Sequence, residues 1–342
     1  MKKYLMVYQE TKSKILSGEF KAGEKLPSKR IMADKTGTSV ITVEKAYSML
    51  CEEGYVIPKE KSGYFVAELD LPYKEELPKT EIPRLEEEEI QSNEDFEYSL
   101  WFKTVRKVIS EKGNRLFIKS PNKGCAVLRN AISDYLLRYR GMRAEPERII
   151  IGSGSEQLYE TVVKILGRDK VYGIENPSYE QIEAVYLSEY TSLKKLDMGN
   201  DGIKSLRKDV DILHVTPFKS YPTGVTTSAL KRYEYLKWAG DTKYIVEDDF
   251  NSEFFIPGQP IESLYSMDTK NRVIYINTFS KSLSPSMRVG YMILPPQLME
   301  KYNETVGRFS CSVPVLDQHI LAEFISSGNF ERHLNRVRRK LH

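Results

Sequence analysis

A lysine framed by small hydroxyls, Thr278-Phe279-Ser280-Lys281, with Arg288 seven residues beyond it, carries the most chemistry in this chain. The apolar run Val273-Ile274-Tyr275-Ile276-Asn277 leads into it and reads as a strand that delivers the lysine to a sheet edge. A lysine amine condenses with an aldehyde once its surroundings let it be neutral. Small hydroxyls and one arginine neutralise and orient a phosphate. The combination suits an aldehyde cofactor that carries a phosphate, with Lys281 as anchor and Thr278, Ser280 and Arg288 around it. A lone lysine in a hydroxyl-rich turn is usually only surface, so the other strand ends must decide.

Those ends hold matching residue types. Ile149-Ile150-Ile151 runs into Gly152-Ser153-Gly154-Ser155-Glu156-Gln157 and then a helix over Leu158 to Leu166. Such a turn offers free backbone N–H groups and a favourable dipole to a phosphate, a role for Gly154 and Ser155. Tyr244-Ile245-Val246 ends in Glu247-Asp248-Asp249. A carboxylate paired with a pyridine nitrogen keeps the ring protonated and electron-withdrawing, and Asp248 is the choice for that role. Tyr179, after Glu175-Asn176-Pro177-Ser178, suits a face stacked on the ring. Each signal alone has a plainer reading as a common turn, a strand-end cap or a core tyrosine. Val171 to Ile174 and Ile212 to Val215 add further strands, alternating with helical patterns from residue 98 onward. That alternation predicts an α/β domain with a mainly parallel sheet and sites at the strand C-termini.

The N-terminal part has another character. Apolar residues at Leu5, Tyr8, Ile15 and Leu16 predict an amphipathic helix ending at Gly18. Ser28 suits the cap of a helix over about 29–35, and Gly37 breaks the chain. Thr38 or Ser39 opens a third helix through Val43, Ala46, Tyr47 and Leu50, stopped by Gly54. Tyr55-Val56-Ile57 and Tyr64-Phe65-Val66 read as a hairpin around residues 58–63. Three short helices and a hairpin make a winged helix-turn-helix, whose third helix enters the major groove while the wing follows phosphates. Lys29, Arg30, Lys59 and Lys61 would supply salt-dependent phosphate contacts.

Bulk properties frame these parts. At 342 residues the chain exceeds the size of a single core, so two domains are expected. Residues 1–67 carry 12 Lys/Arg against 8 Asp/Glu, whereas residues 68–97 carry 12 Asp/Glu against 3 Lys/Arg. This divides the chain into a DNA-binding head (1–67), an acidic linker (68–97) and a cofactor-binding domain (98–342). No apolar run is long enough to span a membrane, and the start lacks the apolar stretch of a signal peptide. Cys51, Cys125 and Cys311 fit reduced core thiols of a cytoplasmic protein, and the four histidines lack metal-ligand spacing.

Leu26-Pro27-Ser28-Lys29-Arg30, Thr42 to Tyr47, Glu53-Gly54-Tyr55 and Ser62 to Val66 resemble the DNA-binding head of the GntR superfamily. The resemblance spans residues 4–66 and implies that Arg30, Thr42 and the backbone near Gly63 contact DNA, with Ser39 at the start of the same helix. Where the family usually has an arginine after the helix-three serine, this chain has Val40. The motifs from Gly152 to Gln157, Glu175 to Tyr179, Tyr221 to Gly224, Glu247 to Asp249 and Thr278 to Lys281 with Arg288 resemble fold-type I aminotransferases. Glu247 to Phe254, Pro260-Ile261 and Ser282 to Tyr291 narrow the resemblance to the MocR branch of GntR-type regulators.

The resemblance implies a fold-type I domain that binds pyridoxal 5′-phosphate through Lys281, in a homodimer that exchanges its heads. An amino acid or related amine would displace Lys281 as an external aldimine and rearrange the DNA-binding heads. Two departures stand out. Phe250 replaces the tyrosine that normally bonds the cofactor's O3′. The pattern also stops in a basic helix over residues 330–342, which predicts a chain lacking the C-terminal subdomain and its carboxylate-gripping arginine. An active aminotransferase and a truncated, non-functional remnant are the alternatives.

Overall fold

The computed structural model describes residues 2–60, 62–68, 96–254, 262–284 and 286–340. Almost all of the expected linker, Lys61, and the Pro260-Ile261 motif lie outside them. The chain divides into two compact units, Met1–Ile90 and Gln91–His342.

In the first unit, α1 (Lys3–Leu16), α2 (Lys29–Thr36) and α3 (Val40–Glu52) precede an antiparallel pair, β1 (Val56–Lys59) and β2 (Gly63–Val66). Ser28 caps α2 by accepting from the Ile31 N–H at 3.3 Å, and Ser39 caps α3 by accepting from the Thr42 N–H at 3.2 Å. Gly37 ends α2 in the left-handed region at φ 62°, which lets α3 leave at a new angle. Val7, Leu26, Val43, Ala46, Tyr47, Leu50 and Val56 form the core between them. On α1 the buried face is Val7, Tyr8, Thr11 and Ile15, one step round from the expected stripe, and Leu16 is exposed. Thr11 tolerates burial because its hydroxyl donates to the Val7 carbonyl at 2.7 Å.

The second unit runs α4 (Tyr98–Lys112), α5 (Ala126–Tyr135), β3 (Ile149–Gly152), α6 (Ser155–Leu166), β4 (Val171–Asn176), α7 (Glu180–Ser188) and β5 (Ser192–Asp197). It continues with β6 (Ile212–Val215), α8 (Ala229–Ala239), β7 (Tyr244–Asp248), α9 (Leu264–Met267), β8 (Val273–Thr278), β9 (Gly290–Ile293), α10 (Met299–Thr305), α11 (Val315–Ser326) and α12 (Asn329–Lys340). The described strands form one sheet in the order β3-β9-β8-β7-β6-β4-β5. Its five members from β8 to β5 are parallel, while β9 runs antiparallel to both β3 and β8. Neither β5 nor β9 is among the strands expected from sequence.

Apart from the edge strand β5, the strands are mainly apolar on both faces because helices cover both. Ile150, Ile212, Val246 and Ile274 pack with α6 and α7 residues such as Leu158, Val162 and Tyr186. Their neighbours Leu213, Ile245 and Val273 face the α8 side with Tyr235 and Ala239. Ile149 and Ile151 meet α5 and α11 through Leu128, Ile132 and Leu321. Alternate residues of each strand therefore serve opposite layers, which fixes the register.

Candidate functional site

The C-terminal ends of the parallel strands hold the candidate site residues. Thr278 ends β8 and pairs with Gly290 at the start of β9, which in turn pairs with Gly152 at the end of β3. This register brings Arg288, just before β9, next to Gly154, just after β3. A Cβ built on Gly154 would lie 2.9 Å from the Arg288 Nη2, and its φ of +93° disfavours any side chain there. Gly154 is also the N-cap of α6, so the guanidinium and the free N–H end of a helix share one corner.

Ser155, Tyr179, Asp248, Thr278, Ser280, Lys281 and Arg288 line one cavity of about 260 Å³, together with Glu156, Tyr159, Ile182, Thr216, Tyr221 and Phe250. Lys281 is exposed as a residue but its amine is partly covered: its Nζ donates to the Asn251 Oδ1 and lies 5.0 Å from the centre of the Phe250 ring. Burial, and then the positive charge of Lys219, push its amine below the ordinary lysine range. The Asn251 amide donates to the Lys219 carbonyl at 3.2 Å, so one side chain joins the lysine to the 219–226 turn. Tyr179 and Tyr221 meet edge to face at 6.2 Å on the cavity wall.

Strand alternation sorts the three carboxylates at the end of β7. Glu247 turns inward and accepts from the Leu264 and Tyr265 N–H groups, each at 2.8 Å. Asp249 pairs with the Arg140 Nη2 and the Tyr275 hydroxyl, each at 2.8 Å. Asp248 alone faces the cavity. Its Oδ2 accepts from the buried Tyr159 hydroxyl, with the His214 Nε2 at 3.9 Å. His214 is itself oriented by a 2.8 Å hydrogen bond between its Nδ1 and the Tyr186 hydroxyl. The second oxygen, Oδ1, is buried with no hydrogen-bond partner. A buried carboxylate oxygen left in this state costs about 1–3 kcal/mol, which a donor entering the cavity would recover.

These features fit a phosphorylated pyridine aldehyde. A pyridinium N–H would satisfy Asp248, the α6 corner with Arg288 favours an anion, and Lys281 supplies an amine biased toward neutrality. Ser280 is less available than expected, because its hydroxyl donates to the Met287 carbonyl at 3.0 Å. Thr278 sits in the lining with its N–H bonded to the Asn277 Oδ1 at 2.6 Å. Among the described residues no cluster of His, Cys, Asp and Glu is placed to hold a metal ion, and no helix is long and apolar enough to cross a membrane.

In the first unit, Ser39 and Thr42 share the exposed first turn of α3, their hydroxyls 2.8 Å apart. Arg30 is exposed on α2, whereas Lys29 forms a 2.5 Å ion pair with Glu44. Lys59 lies 4.5 Å from the Phe65 ring centre at the hairpin, and Gly63 opens β2 at φ +116°. Lys61 lies outside the described residues.

The family described as "Bacterial regulatory proteins, gntR family" matches residues 3–66. A Bacillus subtilis protein named as an uncharacterized HTH-type transcriptional regulator, YdeL, is 33% identical over 98% of this chain and 76% of its own length. The probable rhizopine catabolism regulatory protein MocR of Rhizobium meliloti is 28% identical over 97% of this chain and 73% of its own. The chain belongs to the MocR-type regulators of the GntR superfamily.

This regulator also matches the Corynebacterium glutamicum pyridoxine biosynthesis transcriptional regulator PdxR, at 28% identity over 95% of the chain and 73% of that protein. Its larger unit shares the fold of aminotransferases. The Pyrococcus horikoshii kynurenine aminotransferase superposes with a TM-score of 0.66 at 22% identity, covering 72% of this chain and 64% of the enzyme. The α-aminoadipate aminotransferase LysN of Thermus thermophilus, solved with N-(5′-phosphopyridoxyl)-L-leucine, gives a TM-score of 0.63 at 26% identity over 72% and 65% of the two chains. The regulator thus spans less than two thirds of the length of these enzymes.

Sequence reasoning missed Tyr159, His214 and Tyr186 beneath Asp248, and Asn251 beside Lys281. Tyr159 falls one helical turn after Ser155, a spacing that could have pointed it at the same corner. His214 and Tyr186 come from β6 and α7, and nothing local marks them.

Proposed function

We propose that the larger unit binds pyridoxal 5′-phosphate through Lys281 and senses an amino acid or related amine, and that this controls how the winged helix engages DNA. The observation that carries the reading is Asp248: one oxygen held by Tyr159, the other buried without a partner on the wall of a cavity that also holds Lys281 and Arg288. When bound, the cofactor supplies an aldehyde that amines condense with and a pyridinium ring that draws electrons away.

The chain's own groups would divide the work. Asp248 would hold the ring-nitrogen proton, and the Tyr159 hydroxyl keeps the carboxylate aimed, with the His214 ring packed beside it. Gly154, Ser155, Thr278 and Arg288 would receive the phosphate, joined by Ser280 once its hydroxyl leaves the Met287 carbonyl. Tyr179 covers one face of the ring, and Tyr221 narrows the mouth. Lys281 is kept reactive by burial and by Lys219, and Asn251 holds it when it is disengaged. Phe250 would give the ring an apolar contact and has no O–H to donate to it. In the head, Ser39, Thr42 and Arg30 face the major groove, and Lys29, Lys59, Lys61 and Gly63 follow the phosphates. The active form is a cytoplasmic homodimer reading paired half-sites.

The test uses a duplex selected by the protein from random sequence and fluorescence anisotropy at fixed salt. With pyridoxal phosphate present, a panel of amino acids and amines should contain a compound that changes DNA affinity at least fivefold in the wild type. The same compound should have no effect in Lys281→Ala. A response that survives in Lys281→Ala contradicts the reading.

A further inference from the structure

Arg288 has a partner before any ligand arrives. Its Nη2 donates to the Glu156 Oε2 in an ion pair, and both side chains line the cavity. Glu156 is the second residue of α6, directly after Ser155, so its carboxylate stands at the helix end that favours an anion. The open space over Gly154 lets the same guanidinium come within contact distance of that corner. One cation, one helix N-terminus and one internal anion therefore already form a closed set.

We propose that Glu156 is a specificity-determining residue of the pocket, an internal carboxylate that occupies the phosphate-binding guanidinium and must release it when a phosphate ester enters. The proposal rests on the pyridoxal phosphate reading above. Entry of the phosphate separates Arg288 from Glu156 and sets a second anion beside the carboxylate. The pair is solvent-accessible, with side-chain exposures of 54% for Arg288 and 35% for Glu156, so its strength is that of a surface ion pair. Ion pairs of that class are worth up to about fivefold in an equilibrium, and like-charge repulsion at a few ångströms in a watery mouth adds a comparable factor. Glu156 accordingly weakens binding of a phosphate ester by about three- to tenfold and leaves an unphosphorylated pyridoxal untouched. The pocket is thereby set to fill at a higher cofactor concentration than its donors alone would require.

The experiment is equilibrium dialysis of the full chain with three probes: pyridoxal phosphate, pyridoxal and inorganic phosphate. Wild type, Glu156→Gln and Glu156→Ala are compared, with thermal melting to show that each variant is folded. Both variants should bind pyridoxal phosphate and inorganic phosphate about three- to tenfold more tightly while pyridoxal affinity stays at the wild-type value. Unchanged or weaker binding of the two phosphates overturns the proposal, as does an equal gain for pyridoxal. A wild type that fails to bind pyridoxal phosphate contradicts the cofactor reading instead, and the inorganic phosphate arm then still decides the role of Glu156.

Discussion

Replacing Glu175 with glutamine should make the larger unit more stable at alkaline pH. Glu175 lies near the end of β4, fully buried, and accepts from the Thr216 N–H at 3.2 Å and the Ser220 hydroxyl at 2.5 Å. None of the groups that set its pKa is a cation. Burial pushes its carboxyl from the ordinary 4.5 up to about 8, with the charge of Asp248 acting in the same direction. The folded pKa is the raised one, so the stability from holding the neutral form is complete below pH 4.5 and is lost as pH rises toward 8. At about 1.4 kcal/mol per pH unit the full gap caps the loss near 5 kcal/mol. Relaxation around a buried carboxylate lowers this, and a difference on the order of 3 kcal/mol is expected at pH 8. Glutamine keeps the shape and one acceptor oxygen but cannot ionise. Both tryptophans of the chain, Trp101 on α4 and Trp238 on α8, lie in this unit, so urea unfolding followed by their fluorescence reports on it directly. Glu175→Gln should exceed the wild type at pH 8 and converge with it near pH 5. Parallel profiles across that range would refute the argument that burial keeps this carboxyl neutral.

Other outcomes follow from single contacts. Tyr159→Phe removes the hydroxyl that donates to the Asp248 Oδ2 and should destabilise the unit by about 1–3 kcal/mol in urea, with weaker pyridoxal phosphate binding. Gly154→Ala forces a side chain into a left-handed position and against Arg288. It should cost about 1–3 kcal/mol in unfolding and lower pyridoxal phosphate affinity in dialysis by tenfold or more. Leu50→Ala opens a cavity in the small core of the winged helix and should cost about 2–5 kcal/mol, enough to abolish specific DNA binding in a gel-shift assay.

Much of the candidate site could be read along the chain because its residues stand at the ends of apolar runs. Lys281 follows β8, Asp248 closes β7, and Gly154 follows β3, so locating the strands also located the candidate residues. The choice of Asp248 over its two neighbours is a consequence of strand alternation, with Glu247 and Asp249 turned to buried donors. What escaped was held by distant partners. Tyr159 and His214 reach Asp248 from α6 and β6, and Arg140 reaches Asp249 across more than a hundred residues of chain. β5 was missed because Ser192-Leu193-Lys194-Lys195-Leu196-Asp197 is an edge strand with one fully buried side chain, Leu196. β9 was missed because Gly290-Tyr291-Met292-Ile293 is short, and its antiparallel direction is invisible without its partners. In the head, the caps at Ser28 and Ser39 were legible because capping is local, whereas the rotation of α1 depended on how Thr11 packs.

The most direct measurement is reductive trapping. Wild-type protein incubated with pyridoxal phosphate, treated with borohydride and digested should yield a phosphopyridoxyl group on the peptide containing Lys281 and on no other lysine. Lys281→Ala should yield none, and Asp248→Ala should require a much higher cofactor concentration. Labelling confined to surface lysines, or persisting unchanged in Lys281→Ala, would contradict the assignment of this pocket as the cofactor site.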